Sequence, residues 1–285
     1  MTGTGEQGLG TGDRGPSTAL PSGAPLRMPD AGGSGTGDQG APARGVRLPL
    51  TKPVITYVVL GVIVVIFVAD TIIGAVAGMP ILSYLGAQIN SWVGAGEYWR
   101  LFSSIFLHAS LTHLAFNGWA LYSIGRDIEA FYGHRWFAAI YFLAGLAGSL
   151  AWYVLGRDGA SVGASGAIFG LIGAEGAFFL RNRTLFGKFG SQRLSNLAVL
   201  IGINLLFGFT VPNINNHAHL GGLAAGFLLG FLLAPRYVVQ WSYEGLAAAP
   251  RLVDTQSRAA RAVVVAGAVV VLAVLVVLGN ARWGA

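Results

Sequence analysis

Ser165 lies in the stretch SVGASGAIFG, Ser161 to Gly170, with Gly163, Gly166, Gly170 and the nearby Gly173 around it. His219 lies in AHLGGLAAG, followed by Gly222, Gly226 and Gly230 at four-residue intervals. That interval is a small-xxx-small surface, which lets two helix backbones approach closely. His219 is three residues before Gly222 and shares its face. Ser165 and His219 therefore sit on the two glycine-lined surfaces expected to touch. A serine hydroxyl within reach of an imidazole is the pattern of an activated nucleophile. His113 and Asn117 are four residues apart on one helix face, and both can donate hydrogen bonds. Such donors, with free N–H groups of a helix beginning at Ser165, suit the oxyanion of a tetrahedral intermediate. Asp70, Glu97 and Asp158 have no evident link to a histidine, so the pattern is a Ser–His dyad without a third carboxylate.

A lone serine or histidine in such surroundings would be packing or a local hydrogen bond. Convergence of several at one depth is not what that reading predicts, and the depth follows from the helices. The chain has 285 residues, 54% hydrophobic and 11% charged, where a soluble domain carries about 25% charged residues. Its apolar runs are long enough to cross a bilayer. Seven spans are expected: Val54–Val76, Ser104–Ile124, Trp136–Leu155, Gly163–Leu180, Leu194–Val211, His217–Ala234 and Ala262–Gly279. Cations concentrate in alternate connections, with Arg44, Arg47 and Lys52 before the first span and Arg181, Arg183, Lys188 and Arg193 after the fourth. The positive-inside rule puts those connections, and the N-terminus, in the cytoplasm and the C-terminus outside. The second, fourth and sixth spans then begin at the outer surface. Ser165, His219, His113, Asn117, His108 and His217 share that layer, and only His134 among the histidines lies apart.

The remaining composition narrows the function. There is no cysteine, which removes thiolate chemistry and disulfides. The net charge of +6 reports topology in such a chain, so no nucleic-acid partner is expected. Residues 1–50 hold 6 of the 11 prolines, many Gly, Ser and Thr residues and no apolar run. They read as a disordered cytoplasmic tail without a secretory signal. Residues 51–235 form the six-helix core, 236–261 a cytoplasmic linker, and 262–285 the seventh helix with a short outer tail.

Five stretches together resemble the rhomboid intramembrane serine proteases. They are Trp99-Arg100, HASLTHLAFN (His108 to Asn117), the Gly125-xxx-Glu129 helix end, GASGAIFG (Gly163 to Gly170) and AHLGGLAAG (Ala218 to Gly226). They run in family order across roughly residues 54–235. The resemblance implies an all-α polytopic membrane protein, a six-helix rhomboid-like bundle with a seventh C-terminal helix. It implies Ser165 as nucleophile, His219 as general base, and His113, Asn117 and the Ser165 backbone as the oxyanion site. Gly163, Gly166, Gly222 and Gly226 would support them. Trp99, Arg100 and Glu129 would be structural parts of the first loop and second helix. Phe169 would pack on the His219 ring; some members have tyrosine there, and this chain lacks that hydroxyl. The implied activity is endoproteolysis of transmembrane protein substrates near the outer face, with a small residue at the cleavage point and no cofactor or metal. The lipid bilayer is the other partner, and a bacterial plasma membrane the expected location. No oligomeric state is assigned.

The other polar residues have blander readings. His217 is two residues before His219 and points to another face; it lines the water entrance. His108 holds the first loop. Glu175 leans toward Arg181 and Arg183 or stays protonated, and Asn204 makes an interhelical hydrogen bond. The seventh helix, almost all Val, Ala and Leu, is an appended lipid-facing span. Two alternatives remain: a silent rhomboid-like protein that binds transmembrane clients, and a metal or proton site built from the histidines. The second lacks the HExxH pairing of zinc proteases.

Overall fold

The computed structural model describes residues 48–211, 214–244 and 247–284. The tail expected over residues 1–50 therefore lies, up to residue 47, outside the described residues. The chain is mostly helical. Helix α1, Val54–Ala77, starts after Pro53 and stops at Gly78, whose φ of +75° is left-handed. Its first amides are satisfied from far along the chain: the Glu129 carboxylate accepts from Ile55 N at 2.8 Å, Thr56 N at 2.7 Å and Thr56 Oγ1 at 2.7 Å. A carboxylate there also complements the helix dipole.

Residues 78–106 fold back as a compact loop. It holds α2 (Ile81–Gly86), β1 (Gln88–Ile89), α3 (Asn90–Gly94), α4 (Arg100–Ser103) and a 3₁₀ turn at Ser104–Phe106. Two buried charges organise it. The Asp70 carboxylate accepts from Leu82 N at 2.8 Å and Ser83 Oγ at 2.5 Å. Arg100, 2% exposed, donates to Tyr84 O at 2.9 Å and Ala87 O at 2.8 Å and pairs with Glu97 at 2.5 Å.

The second span is not the single helix expected from Ser104. It begins at Leu111, where Ser110 caps α5 (Leu111–Ala120) by accepting from His113 N at 3.1 Å. It continues through a π turn at Leu121–Gly125 into α6 (Arg126–Tyr132). His108 thus precedes the helix and lies outside its first turns. Gly133, with φ of +77°, reverses the chain into α7 (His134–Leu155). Strand β2, Ala160–Ser161, pairs antiparallel with β1 and leads into α8 (Ser165–Arg181). Helix α9, Arg183–Thr210, bends at Gly187, whose φ is +48°. Asn215 caps α10 (Asn216–Leu233). The expected linker carries an antiparallel hairpin of β3 (Tyr237–Glu244) and β4 (Ala247–Asp254), with Tyr237 opposite Asp254. Helix α11 is Arg258–Trp283.

Among the described residues, five helices, α1, α7, α9, α10 and α11, are long and apolar enough to cross a membrane. The α5–α6 run and α8 pass through the same bundle. Almost every α8 residue from Gly166 to Phe179 is buried, so this helix is wrapped by protein. At its base Phe131 stacks on Phe178 with centroids 4.3 Å apart. Lipid supplies no hydrophobic force between helices, so close backbone contact must hold them. A Cβ added at Gly222 would run into the Gly166 carbonyl, and one at Gly226 into the Gly170 backbone. These glycines let α10 lie directly on α8.

Candidate active site

The α8–α10 contact sets the two side chains that the sequence singles out. Ser165 Oγ lies 3.0 Å from His219 Nε2. The imidazole stacks on Phe169, with centroids 4.3 Å apart and planes 9° from parallel. The stack fixes the ring plane, and the Ser165 contact fixes which nitrogen faces the hydroxyl. With Nε2 unprotonated, it accepts the Ser165 O–H. Nδ1 is buried and makes no hydrogen bond to a described residue. No carboxylate is hydrogen-bonded to this ring among the described residues.

The chain before Ser165 is held on both sides. Gly163 N donates to Ser104 O at 2.9 Å. Gly163 has φ of +129°, and a Cβ there would meet the His113 ring at 2.8 Å. Glycine is therefore required by conformation and by the close approach of His113. Asn215 caps α10 by accepting from Ala218 N at 3.1 Å, and its Nδ2 donates to Ser161 Oγ at 3.0 Å. One side chain thus fastens the start of the His219 helix to the approach to Ser165.

Both residues open on a cavity of about 1920 Å³. His113, Asn117 and Phe169 line it with them. One wall is α5, through Phe116 and Trp119; the other is α9, through Leu200, Ile203 and Phe207. Asn117 is buried, and its Nδ2 donates to His113 O at 3.0 Å, which occupies one of its two amide hydrogens. No side chain of the described residues caps α8, and the first amides of a helix have no intrahelical acceptor. The cavity is therefore lined by the Ser165 hydroxyl together with the His113 imidazole, the Asn117 amide and backbone N–H groups at the start of α8.

His217 is exposed, lines the cavity and packs against Trp152 with centroids 5.6 Å apart; it does not reach Ser165. His108 is buried edge-on against His113, with centroids 5.1 Å apart. Trp99 is exposed and donates to Leu85 O at 3.1 Å. Trp99, Arg100 and Glu129 all hold loops or helix ends. Asn204 does not bridge helices: its Nδ2 donates to Leu200 O at 2.8 Å within α9, a local bond always in reach four residues back. Glu175 turns away from Arg181 and Arg183. It pairs with Arg193 of α9, which also reaches Asp127 of α6 at 2.8 Å. Sequence reasoning passed over Ser104, whose backbone acts, and Asn215. Asn215 had a signal, a helix-capping residue type just before a periodic run.

A family model of the rhomboid domain matches residues 95–236. The chain is 43% identical over 176 residues to "Rhomboid protease GluP" of Bacillus subtilis (strain 168), covering 62% of this chain and 34% of that protein. It is 42% identical over 163 residues to "RHOMBOID-like protein 5" of Arabidopsis thaliana, covering 56% of this chain and 52% of that protein. It is 40% identical over 144 residues to "Putative rhomboid protease YdcA" of Bacillus subtilis (strain 168), covering 50% of this chain and 71% of that protein. The chain thus spans a third to about half the length of the first two of these relatives.

Proposed function

Because this chain belongs to the rhomboid family of intramembrane proteases, we propose that it is itself a serine endopeptidase acting on transmembrane protein substrates, with Ser165 as nucleophile and His219 as general base. The observation that carries the reading is the 3.0 Å contact between Ser165 Oγ and His219 Nε2 beside a large cavity.

Each proton has a place to go. Ser165 Oγ bonds to the carbonyl carbon as His219 Nε2 takes its proton. The oxygen of the tetrahedral intermediate faces His113, Asn117 and the α8 amides. The imidazolium gives its proton to the leaving amine, and an acyl-enzyme remains. Water then attacks, His219 takes its proton, and the proton returns to Ser165 Oγ as the new carboxylate leaves. A helical peptide bond is shielded by its own hydrogen bonds. Substrates with Gly or Pro near the scissile bond, which unwind at low cost, are favoured. The distribution of Lys and Arg supports a cytoplasmic N-terminus and cleavage near the outer face of the membrane.

The test is labelling by a fluorophosphonate of protein purified in mild detergent. Wild type and His217→Ala are expected to label, and Ser165→Ala and His219→Ala to remain unlabelled. A wild type that stays dark beside a labelled control protease would overturn the reading. Labelling that survives in Ser165→Ala would reassign the nucleophile.

A further inference from the structure

The C-terminal end of α11 is not the plain lipid-facing span that its composition suggests. It carries a small polar clasp. Asn280 Oδ1 accepts from Tyr153 OH at 2.7 Å, and Asn280 Nδ2 donates to Tyr98 OH at 2.8 Å. Trp283 Nε1 donates to Tyr153 O at 2.6 Å, and Arg282 donates to Val154 O at 2.7 Å. Gly279 lies flat against the Tyr153 ring, where a Cβ would collide with the ring atoms. Beneath these bonds, Leu272, Leu275, Val276 and Trp283 pack on a buried cluster of Val93, Leu101, Leu150 and Tyr153. That cluster joins α3, α4 and α7 to the last helix.

The clasp leads to the candidate active site by short steps. Tyr98 lies two residues before α4, and Leu101 N donates to Tyr98 O at 3.1 Å. Helix α4 runs on into the 3₁₀ turn at Ser104. The Ser104 carbonyl is the one that accepts from Gly163 N at 2.9 Å, two residues before Ser165. The Tyr98–Ser104 segment is therefore gripped at one end by Asn280 and grips the approach to Ser165 at the other.

We infer that Asn280 is a positioning residue for Ser165, with the end of α11 serving as a strut that steadies the Tyr98–Ser104 segment. The kinetic side of this inference rests on the proposed serine mechanism, and the structural side does not. Asn280 is suited to the role because it accepts from one tyrosine while donating to the other. Its membrane-end position makes water a competitor for both bonds, so loss of the side chain loosens the join without exposing a charge.

Two measurements on Asn280→Leu separate the possibilities. The first is amide hydrogen exchange in detergent, which needs no activity. Residues 98–104 and 161–165 should exchange about 2- to 12-fold faster than in wild type, the weight of one hydrogen bond. The second is the fluorophosphonate labelling rate at saturating probe, which should fall by a similar factor with the half-saturating concentration unchanged. Asn280→Asp, whose carboxylate can accept from both tyrosines, should restore both values. Tyr98→Phe should reproduce the defect, and combining it with Asn280→Leu should add nothing further. Exchange at residues 161–165 that stays at the wild-type rate in both Asn280→Leu and Tyr98→Phe overturns the strut, even if the melting temperature falls. Faster exchange with an unchanged labelling rate in a labelled protein overturns the positioning role. A wild type that does not label refutes the serine mechanism, and with it the kinetic role of Asn280, while the exchange result still decides the strut.

Discussion

His219→Ala should slow cleavage of a transmembrane substrate by about 10⁴-fold or more, and adding Ser165→Ala should slow it no further. The expectation follows from the environment of the ring. Ser165 Oγ has His219 Nε2 at 3.0 Å, and the far nitrogen has no hydrogen-bond partner among the described residues. A carboxylate partner would leave part of the orienting function in place after other changes. Here the Phe169 stack and the α8–α10 contact do that work. Residues acting as one unit lose their effect together, so the double variant is the sharper test. Single-turnover cleavage of a transmembrane segment reconstituted with each variant gives the rates. Stability should change little, because the lost stack on Phe169 is worth about 0.5–1.5 kcal/mol. Losses that multiply in the double variant would mean that the two side chains act separately.

Arg193→Leu should destabilise the bundle by about 3–5 kcal/mol, the usual result of removing one partner from a buried ion pair. Glu175 is 1% exposed and depends on Arg193, which it shares with Asp127. Without the guanidinium, two carboxylates face each other inside the bundle with their cation gone. Adding Glu175→Gln to Arg193→Leu should recover much of the loss, since the remaining polar group carries no charge. Thermal unfolding in detergent of the wild type, both single variants and the double variant closes the cycle. A loss below about 1 kcal/mol would place the group in the class of exposed pairs. This cluster ties α6, α8 and α9 together at the deep end of the cavity, and α9 bends at Gly187 just before it.

Much of this arrangement was legible in the sequence, because local patterns encode it. Long apolar runs mark the spans, and four-residue glycine spacing marks the α8 and α10 faces that meet. What escaped was set by contacts between distant segments. Glu175 had two arginines within eight residues, yet pairs with Arg193 on the next helix, a choice that needs the helices already packed. The Glu129 cap on α1 reaches back 73 residues, and no local signal announces it. The hairpin at Tyr237–Asp254 had a partial signal in the aromatic and β-branched residues YVVQWSYE, but AAAPRLVD contains a proline and suggests no partner strand. The α11 clasp was hidden by the apolar composition of the helix that carries it.

The brevity of α8 has a consequence for the membrane itself. Its 17 residues rise only about 25 Å, less than the roughly 30 Å of a hydrocarbon core. Because protein surrounds it, no lipid is asked to match that length. The helices exposed on the outside of the bundle include α1 and α11, with 24 and 26 residues, and a span longer than the hydrocarbon core is accommodated by tilting. The lean of those outer helices would then set the depth of Ser165 in the bilayer. Vesicles of graded acyl-chain length should therefore tune the cleavage rate through hydrophobic mismatch, passing through an optimum thickness. Labelling by a small soluble probe in detergent micelles, which impose no fixed thickness, should show no such optimum.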